Sequence, residues 1–371
     1  MKRLIRKIVV RTTRQLKRFL YNFATFQDQN GLSELRNLPK PLQATVKEIA
    51  AFSLNEATMF TKTFLANNIQ LIKKSSKTSE PILICAIKNN LPAVKLQLKH
   101  HRKIGVTSFI YIDNLSTDGT FEYLKDQNDV TLYKVDTQFK SFVHKIWYQL
   151  AIKQEGYDKW YLTLDDDELF AYPGMETVDI NRYIEFLEMQ KKTGTFSIML
   201  DMYSENKLFS GAGTGIKDEY CFFDMDYCWK GASISGGPRQ RIFSMKHKLI
   251  KYPLLKYKKN MIIKAHKIYP KKDMKQHMGG GVLAFLLHYK FLPGDTKKYM
   301  EIVEQEIYYN GSSEYKTYMQ AYKKNPDISF HYSGSQKLNS SMDLLKVNIG
   351  NVTFFKEFLD WAQQQNNTNT Q

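Results

Sequence analysis

The sequence predicts an α/β protein: a Rossmann-like, mostly parallel sheet flanked by helices, with helical N-terminal and C-terminal extensions. Two observations carry this expectation. From Pro81 to Asp165, short runs rich in β-branched and aromatic residues alternate with amphipathic stretches, the pattern of βαβ crossovers. Two of these runs stop abruptly at aspartate, in IYIDNLSTDGT at 110–120 and WYLTLDDDELF at 160–170. The carboxyl ends of parallel strands are where open α/β sheets bind ligands.

In chain order, residues 28–79 read as helical and polar, with KPLQATVKEIAAFSLNEATMFTKTFLANNIQLIKK as the clearest stretch and Pro39 and Pro41 at its start. KSSKTSE at 74–80 has a linker's composition, so the main domain is expected to begin at Pro81. PILICAI (81–87), SFIYID (108–113), VTLYKV (130–135) and KWYLTLD (159–165) read as strands. Between them lie helices at Leu91 to Ile104, 118–127 and 142–156, the first ending before Gly105 and the last closed by Gly156. Beyond Glu168 we expect a helix over 179–192 capped by Asp179, then a strand over 195–203 that reaches Asp201. A Gly-rich loop (210–215) follows, and SISGGPRQRIFSM reads as a turn and a strand. GGGVLAFLLHYKFL (279–292) is a strand, 294–325 is helical, and 341–365 is a terminal helix before a polar tail. This divides the chain into a basic extension (1–79), a catalytic-type domain (80–335) and a C-terminal helix with its tail (336–371).

The 371 residues carry a net charge of +17, which calls for an anionic partner or surface. The first 27 residues hold eight Lys or Arg and no acid, with Leu4, Ile5, Ile8, Val9, Leu16, Leu20 and Phe23 near helical spacing. They read as a basic amphipathic segment on an anionic membrane surface, or more plainly as a solvated basic helix. A second run, 246–275, has eleven Lys against Asp273. It has no nucleic-acid signature, and no nucleic-acid partner is expected. No stretch has the ~18 uninterrupted apolar residues of a membrane-spanning helix. Three cysteines, no CxxC pair and no secretory signal fit a reducing compartment, so a cytoplasmic location is expected.

Clustered carboxylates repel unless a cation or polar ligand lies between them. Asp165, Asp167 and Glu168 at one strand end therefore suggest a divalent ion, Mn2+ or Mg2+, facing phosphate oxygens. The plain alternative is an exposed acidic loop. Asp113 opens a turn whose Asn114, Ser116, Thr117 and Asp118 suit local backbone bonding, and it is also placed to accept hydrogen bonds from a ribose or base. Arg239 and Arg241 alternate along the expected strand, where they would hold a diphosphate or an acidic acceptor. His266 is a candidate for acceptor binding. Of the acids downstream, Asp201, Asp224 and Asp226, we single out Asp201 as general base because it ends a strand.

The order CAIKNN, HHRKIGVTSFIYIDNLSTDGT and DDDELF resembles the family-2-like glycosyltransferases of GT-A fold, in the bacterial branch that builds lipopolysaccharide and other cell-surface glycans. SGGPRQRIF and LLHYKFL resemble later segments of the same branch, so the likeness runs over roughly 81–335. The resemblance implies an inverting, metal-dependent transfer from a nucleotide-sugar donor to a glycan or glycolipid acceptor, at the inner face of the cytoplasmic membrane. It implies that Asp113 contacts the nucleoside, that Asp165 contacts ribose or metal, and that Asp167 holds the metal. Lys88 and Asn89 would lie near the base or ribose, and His288 where a third metal ligand is often placed. Asn90 departs from the pattern, since relatives commonly carry Glu there. One rival is a nucleotidyltransferase, but CAIKNNLPAVK lacks the Gly-rich basic loop expected after its first strand. A noncatalytic glycan- or nucleic-acid-binding protein is the other, and the intact Asp165–Asp167 pair argues against it.

Overall fold

A computed structural model describes residues 34–137, 142–211, 215–306 and 309–368. The basic N-terminal segment read as membrane-surface lies outside the described residues. Two helices lead in, α1 (Lys40–Ala50) and α2 (Leu54–Ala66). Next come β1 (Gln70–Lys73), β2 (Ile82–Ile87), α3 (Leu91–Lys103), β3 (Ser108–Asp113), α4 (Thr120–Asp126), β4 (Val130–Lys134), α5 (Val143–Glu155) and β5 (Trp160–Leu164). These reproduce the predicted alternation. With the later strand β12 (Leu254–Lys256) they build a sheet of order β1-β4-β3-β2-β5-β12, with β2 to β5 parallel and both edges antiparallel. Strands β2, β3 and β5 are near-continuous apolar runs because both faces of a parallel sheet are covered.

The chain runs outward from β2 to β3 and β4, then returns to place β5 on the other side of β2. That reversal opens a crevice between the carboxyl ends of β2 and β5, where such sheets place ligands. Tyr148 of α5 spans it. Its hydroxyl accepts from Ala86 N at 3.1 Å and donates to Leu164 O at 2.7 Å.

A second sheet adjoins the crevice. β6 (Glu168–Ala171) follows β5 at once and pairs antiparallel with β15 (Val282–Tyr289). β15 pairs parallel with β7 (Phe196–Met202), and β11 (Ile250–Lys251) closes the edge. Between β6 and β7 lies α6 (Ile180–Met189), whose Asp179 cap accepts from Asn181 N and Arg182 N as expected. After β7 come α7 (Ile216–Glu219), β8 (Phe222–Phe223), the hairpin β9 (Tyr227–Lys230) and β10 (Ser233–Gly236), and α8 (Gly237–Phe243). β12 (Leu254–Lys256) pairs with β5, so the β11–β12 segment stitches the two sheets together. The hairpin β13 (Ile262–Lys264) and β14 (Lys267–Tyr269) and helix α9 (Lys271–Gly279) precede β15. The chain ends with α10 (Asp295–Gln305), α11 (Tyr309–Lys324), β16 (Gln336–Lys337) and α12 (Val352–Thr368).

Four expectations are revised. The main sheet begins before Pro81, because β1 adds an antiparallel edge to β4. GGPRQRIF is a helix, not a strand: Gly236 and Gly237 adopt φ of 135° and 74°, and Pro238 then fits the first turn, where its missing N–H costs nothing. The 294–325 region breaks where Glu306, Asn310, Gly311 and Ser312 are left-handed. The 341–365 region is a 3-10 turn, Ser341–Lys346, followed by α12.

α12 is part of the core. Phe358 is fully buried against Tyr172, Tyr183 and Phe186. Phe358→Ala should cost about 3–5 kcal/mol of stability in chemical denaturation, with one cooperative transition. A loss under about 1 kcal/mol would mean that α12 is not integral to the fold.

Candidate functional site

The crevice widens into a cavity of about 330 Å3 lined by Asn90, Asp165, Asp166, Asp167, Glu168, Arg239, His247, Lys251, His266, His288, Lys290 and Glu314, among others. Its floor is the turn between β5 and β6, braced from α3. Gln97 donates to Asp165 O at 3.0 Å and Glu168 O at 3.2 Å, and accepts from Tyr111 at 2.8 Å. His100 donates to Phe170 O at 2.7 Å, and His101 accepts from Phe170 N at 3.2 Å. Burial holds His100 neutral, down at about 3. None of these braces was singled out from the sequence, where HH at 100–101 reads only as a polar helix end.

Asp165 is saturated. Lys145 donates to its Oδ1 at 2.6 Å, and Lys251 to its Oδ2 at 2.6 Å. Lys251 also meets Glu168 Oε1 at 2.9 Å, and Glu168 Oε2 accepts from Asp165 N at 3.0 Å. Burial alone would raise the Asp165 carboxyl, but Lys145 and Lys251 pull it well below the usual range. At Glu168, burial and the acidic neighbours outweigh Lys251 and, more weakly, His288, and the carboxyl is raised. Asp165, expected to ligate a metal, has both of its oxygens on ammonium groups here. Lys251 comes from the basic run at 246–275, so that run is not wholly a surface feature.

Asp167 begins a different chain of contacts. Its Oδ2 lies 3.4 Å from His288 Nε2, and His288 Nδ1 donates to Asp201 Oδ1 at 2.6 Å. Asp201 Oδ2 accepts from Arg239 Nε at 2.8 Å, and Arg239 Nη1 donates to Glu314 Oε1 at 3.0 Å. The register explains the middle link: His288 on β15 is the direct neighbour of Asp201 on parallel β7. Burial works against a charged His288 ring, yet Asp167 and Asp201 outweigh it and lift it to about 9. Burial likewise opposes ionisation of Asp167, but His288 holds it at about 2.

Whether this set fits a divalent ion depends on what the ion needs. Among the described residues no group of three or more His, Cys, Asp or Glu converges on one point. An Mg2+ ion bound with its substrate needs less: one or two carboxylates, with phosphate oxygens and water completing the shell. Asp167 and His288 fit that requirement. Their 3.4 Å separation is near the ~3 Å between adjacent ligands of an octahedral ion with bonds of ~2.1 Å. The carboxylate of Asp201 on Nδ1 is the support that fixes a metal-binding imidazole's tautomer.

Other predicted residues lie elsewhere. Asp201 is not an available base: it is 3% exposed, both oxygens are taken, and Arg239 and His288 overcome burial to hold it below the usual carboxylate range. Asp224 is tied to Arg241 and Tyr203. Arg241 also donates to Phe330 O and stacks on Tyr332, outside the cavity lining. Arg239 does line the cavity, and its Nη2 is buried without a hydrogen-bond partner. Asn89 accepts from Thr117 N at 2.7 Å and Lys88 is exposed; neither lines the cavity. Asp113 is 1% exposed, accepts from Ser116 N through Oδ1, and leaves Oδ2 buried without a partner.

No protein-family model matches this chain, and no curated protein sequence does. Solved structures show faint likeness. A mannosyltransferase from Pyrobaculum calidifontis, in complex with GDP-Man and Mn2+, is 13% identical over 39% of this chain, with a TM-score of 0.25; the match spans 43% of that protein. Residues 1–349 of TarS from S. aureus are 13% identical over 66% of this chain and 72% of that one, with a TM-score of 0.28. A UDP-glucose pyrophosphorylase from Acinetobacter baumanii is 12% identical over 76% of this chain and 99% of that one, with a TM-score of 0.27. Likenesses this weak carry no functional weight.

Lys251→Met should destabilise the protein by about 3–5 kcal/mol, because it leaves Asp165 short of a cation and Glu168 buried without its ion-pair partner. Denaturant titration checks this. A loss below about 1 kcal/mol would mean that these charges are solvated.

Proposed function

We propose that the protein is a metal-dependent, inverting glycosyltransferase. It would move a sugar from a nucleoside-diphosphate donor to a hydroxyl of a lipid-linked or cell-surface glycan, of the lipopolysaccharide or capsule type. One observation carries the reading: the Asp167–His288–Asp201 arrangement at the mouth of a parallel sheet, beside a crevice at its topological switch point. In this reading Asp167 and His288 hold a Mn2+ or Mg2+ ion, which would neutralise the charge that builds on the departing diphosphate. Asp165 serves differently, holding Lys145 and Lys251 in place.

The chain's own residues account for the rest of the binding. Arg239 Nη2, buried and without a partner, is a donor left for an anionic oxygen. Asp113 Oδ2, also buried without a partner but outside the cavity lining, would be the acceptor for a ribose hydroxyl beside β3. The nucleotidyltransferase alternative has no comparable support, since β2 runs through Lys88 and Asn89 straight into α3 with no glycine loop.

No helix of the described residues is long and apolar enough to cross a membrane. The proposed acceptors are built at the cytoplasmic membrane face, and the basic residues of the first 27 would hold the enzyme there peripherally.

The full chain should turn over at least one of UDP-glucose, UDP-N-acetylglucosamine, UDP-galactose and GDP-mannose with Mn2+, and lose that turnover in EDTA. Asp167→Ala should lower it by about 100-fold or more. Retention of full activity by Asp167→Ala would contradict the assigned site, and absence of any nucleotide-sugar binding would remove the transferase reading.

A further inference from the structure

Inverting transfer needs a group that takes the acceptor's proton, and the carboxylates beside β7 and β15 are all engaged. Asp201 is bonded to His288 and Arg239. Glu314 accepts from Arg239 at 3.0 Å and Tyr318 at 2.5 Å, with Lys290 at 3.5 Å. Asp165 holds two lysines. Asp166 has one oxygen on Asn90, at the start of α3, which places it beside the donor strands. Of the cavity's imidazoles, His247 faces Glu314 through Nδ1 and Tyr318 through Nε2. His144 faces Asp165 and His288 is spanned by Asp167 and Asp201.

His266 differs. Its Nδ1–H donates to Ile250 O at 2.9 Å, which fixes the tautomer and leaves Nε2 as an acceptor in a side chain that lines the cavity. Burial first, and then Lys251, push this imidazole down to about 4, which keeps it unprotonated in the resting site. Its place in the chain is also unusual. Lys264 pairs with Lys267, so Ala265 and His266 alone form the tip of the β13–β14 hairpin. Two-residue hairpins favour Asn-Gly or Gly-containing tips with positive φ, and neither residue here has it. Local turn preference yields where a histidine is delivered into a cavity.

We propose that His266 is the general base. This rests on the transferase reading above. Nε2 takes the proton of the acceptor O–H, whose oxygen lone pair forms the new bond to the anomeric carbon. The bond from that carbon to the phosphate oxygen breaks, its electron pair leaves with the nucleoside diphosphate, and the imidazolium later gives its proton to water. Met199, His247 and Lys248, which line the cavity with His266, then mark the acceptor's side of the site.

His266→Asn keeps a donor for Ile250 O and removes Nε2. In the full chain with Mn2+ and whichever of the four nucleotide sugars it turns over, this variant should lose about 10²–10⁴-fold in kcat. Its Kd for the matching nucleoside diphosphate, from calorimetry, should match wild type. His266→Ala should regain turnover with added imidazole, which a merely structural role would not allow. Wild-type kcat in His266→Asn overturns the inference and leaves the transferase reading intact. Loss of turnover only in Asp166→Asn also overturns it and makes Asp166 the base. If wild type turns over none of the donors, the reading fails and the inference with it.

Discussion

The structure depends on neutralising acids where two sheets meet. Asp165, Asp166, Asp167 and Glu168 follow one another in the turn from β5 to β6, and Asp201 lies one strand further on. Two like charges 4 Å apart repel by about 4 kcal/mol at an effective dielectric near 20. Several such pairs would exceed the 5–15 kcal/mol by which a typical domain is stable. The fold answers with interleaved cations: Lys145 and Lys251 for Asp165 and Glu168, His288 and Arg239 for Asp167 and Asp201. The positions of β11, β15, α5 and α8 around the crevice make this interleaving possible.

The two halves of this network have different consequences. Lys145 and Lys251 close off Asp165, so it acts as an anchor for cations rather than as an exchangeable ligand. The Asp167 side chain is 27% exposed, and His288 meets it at 3.4 Å, longer than a strong ion-pair hydrogen bond. The loosest contact in the chain of charges thus lies where a substrate-borne ion would enter. Arg239 ends the same chain with one nitrogen unspent. A ligand that brings both a cation and anionic oxygens satisfies both ends, and a metal-bound nucleoside diphosphate is such a ligand.

Much of the first half was legible because it is local. Strand runs, Gly156 and the Asp179 cap each announce themselves within a few residues, and the parallel order follows from alternation. The acidic turn was legible as a site, but the roles of its members were not. Asp165 and Asp167 look equivalent in DDDE, and what separates them is Lys145, Lys251 and His288, up to about 120 residues away in the chain. Asp201 is the same case: a strand-ending carboxylate looks available in the sequence, and its partners His288 on β15 and Arg239 on α8 are distant in the chain. GGPRQR fails locally: its glycines and proline read as a turn before a strand, but Pro238 also suits the first turn of a helix. His266 carried only its residue type, and its backbone partner Ile250 belongs to another strand.

The central claim is that Asp167 and His288, not Asp165, receive the metal that arrives with the nucleotide. A crystal structure of the protein with Mn2+ and UDP or GDP, with the ion located by its anomalous scattering, tests it directly. The account predicts Mn2+ bonded to Asp167 and His288 Nε2, with Asp201 still on Nδ1 and with Lys145 and Lys251 still on Asp165. Mn2+ bonded to Asp165 with its lysines displaced, or a nucleotide bound with His288 turned away from the ion, would contradict it.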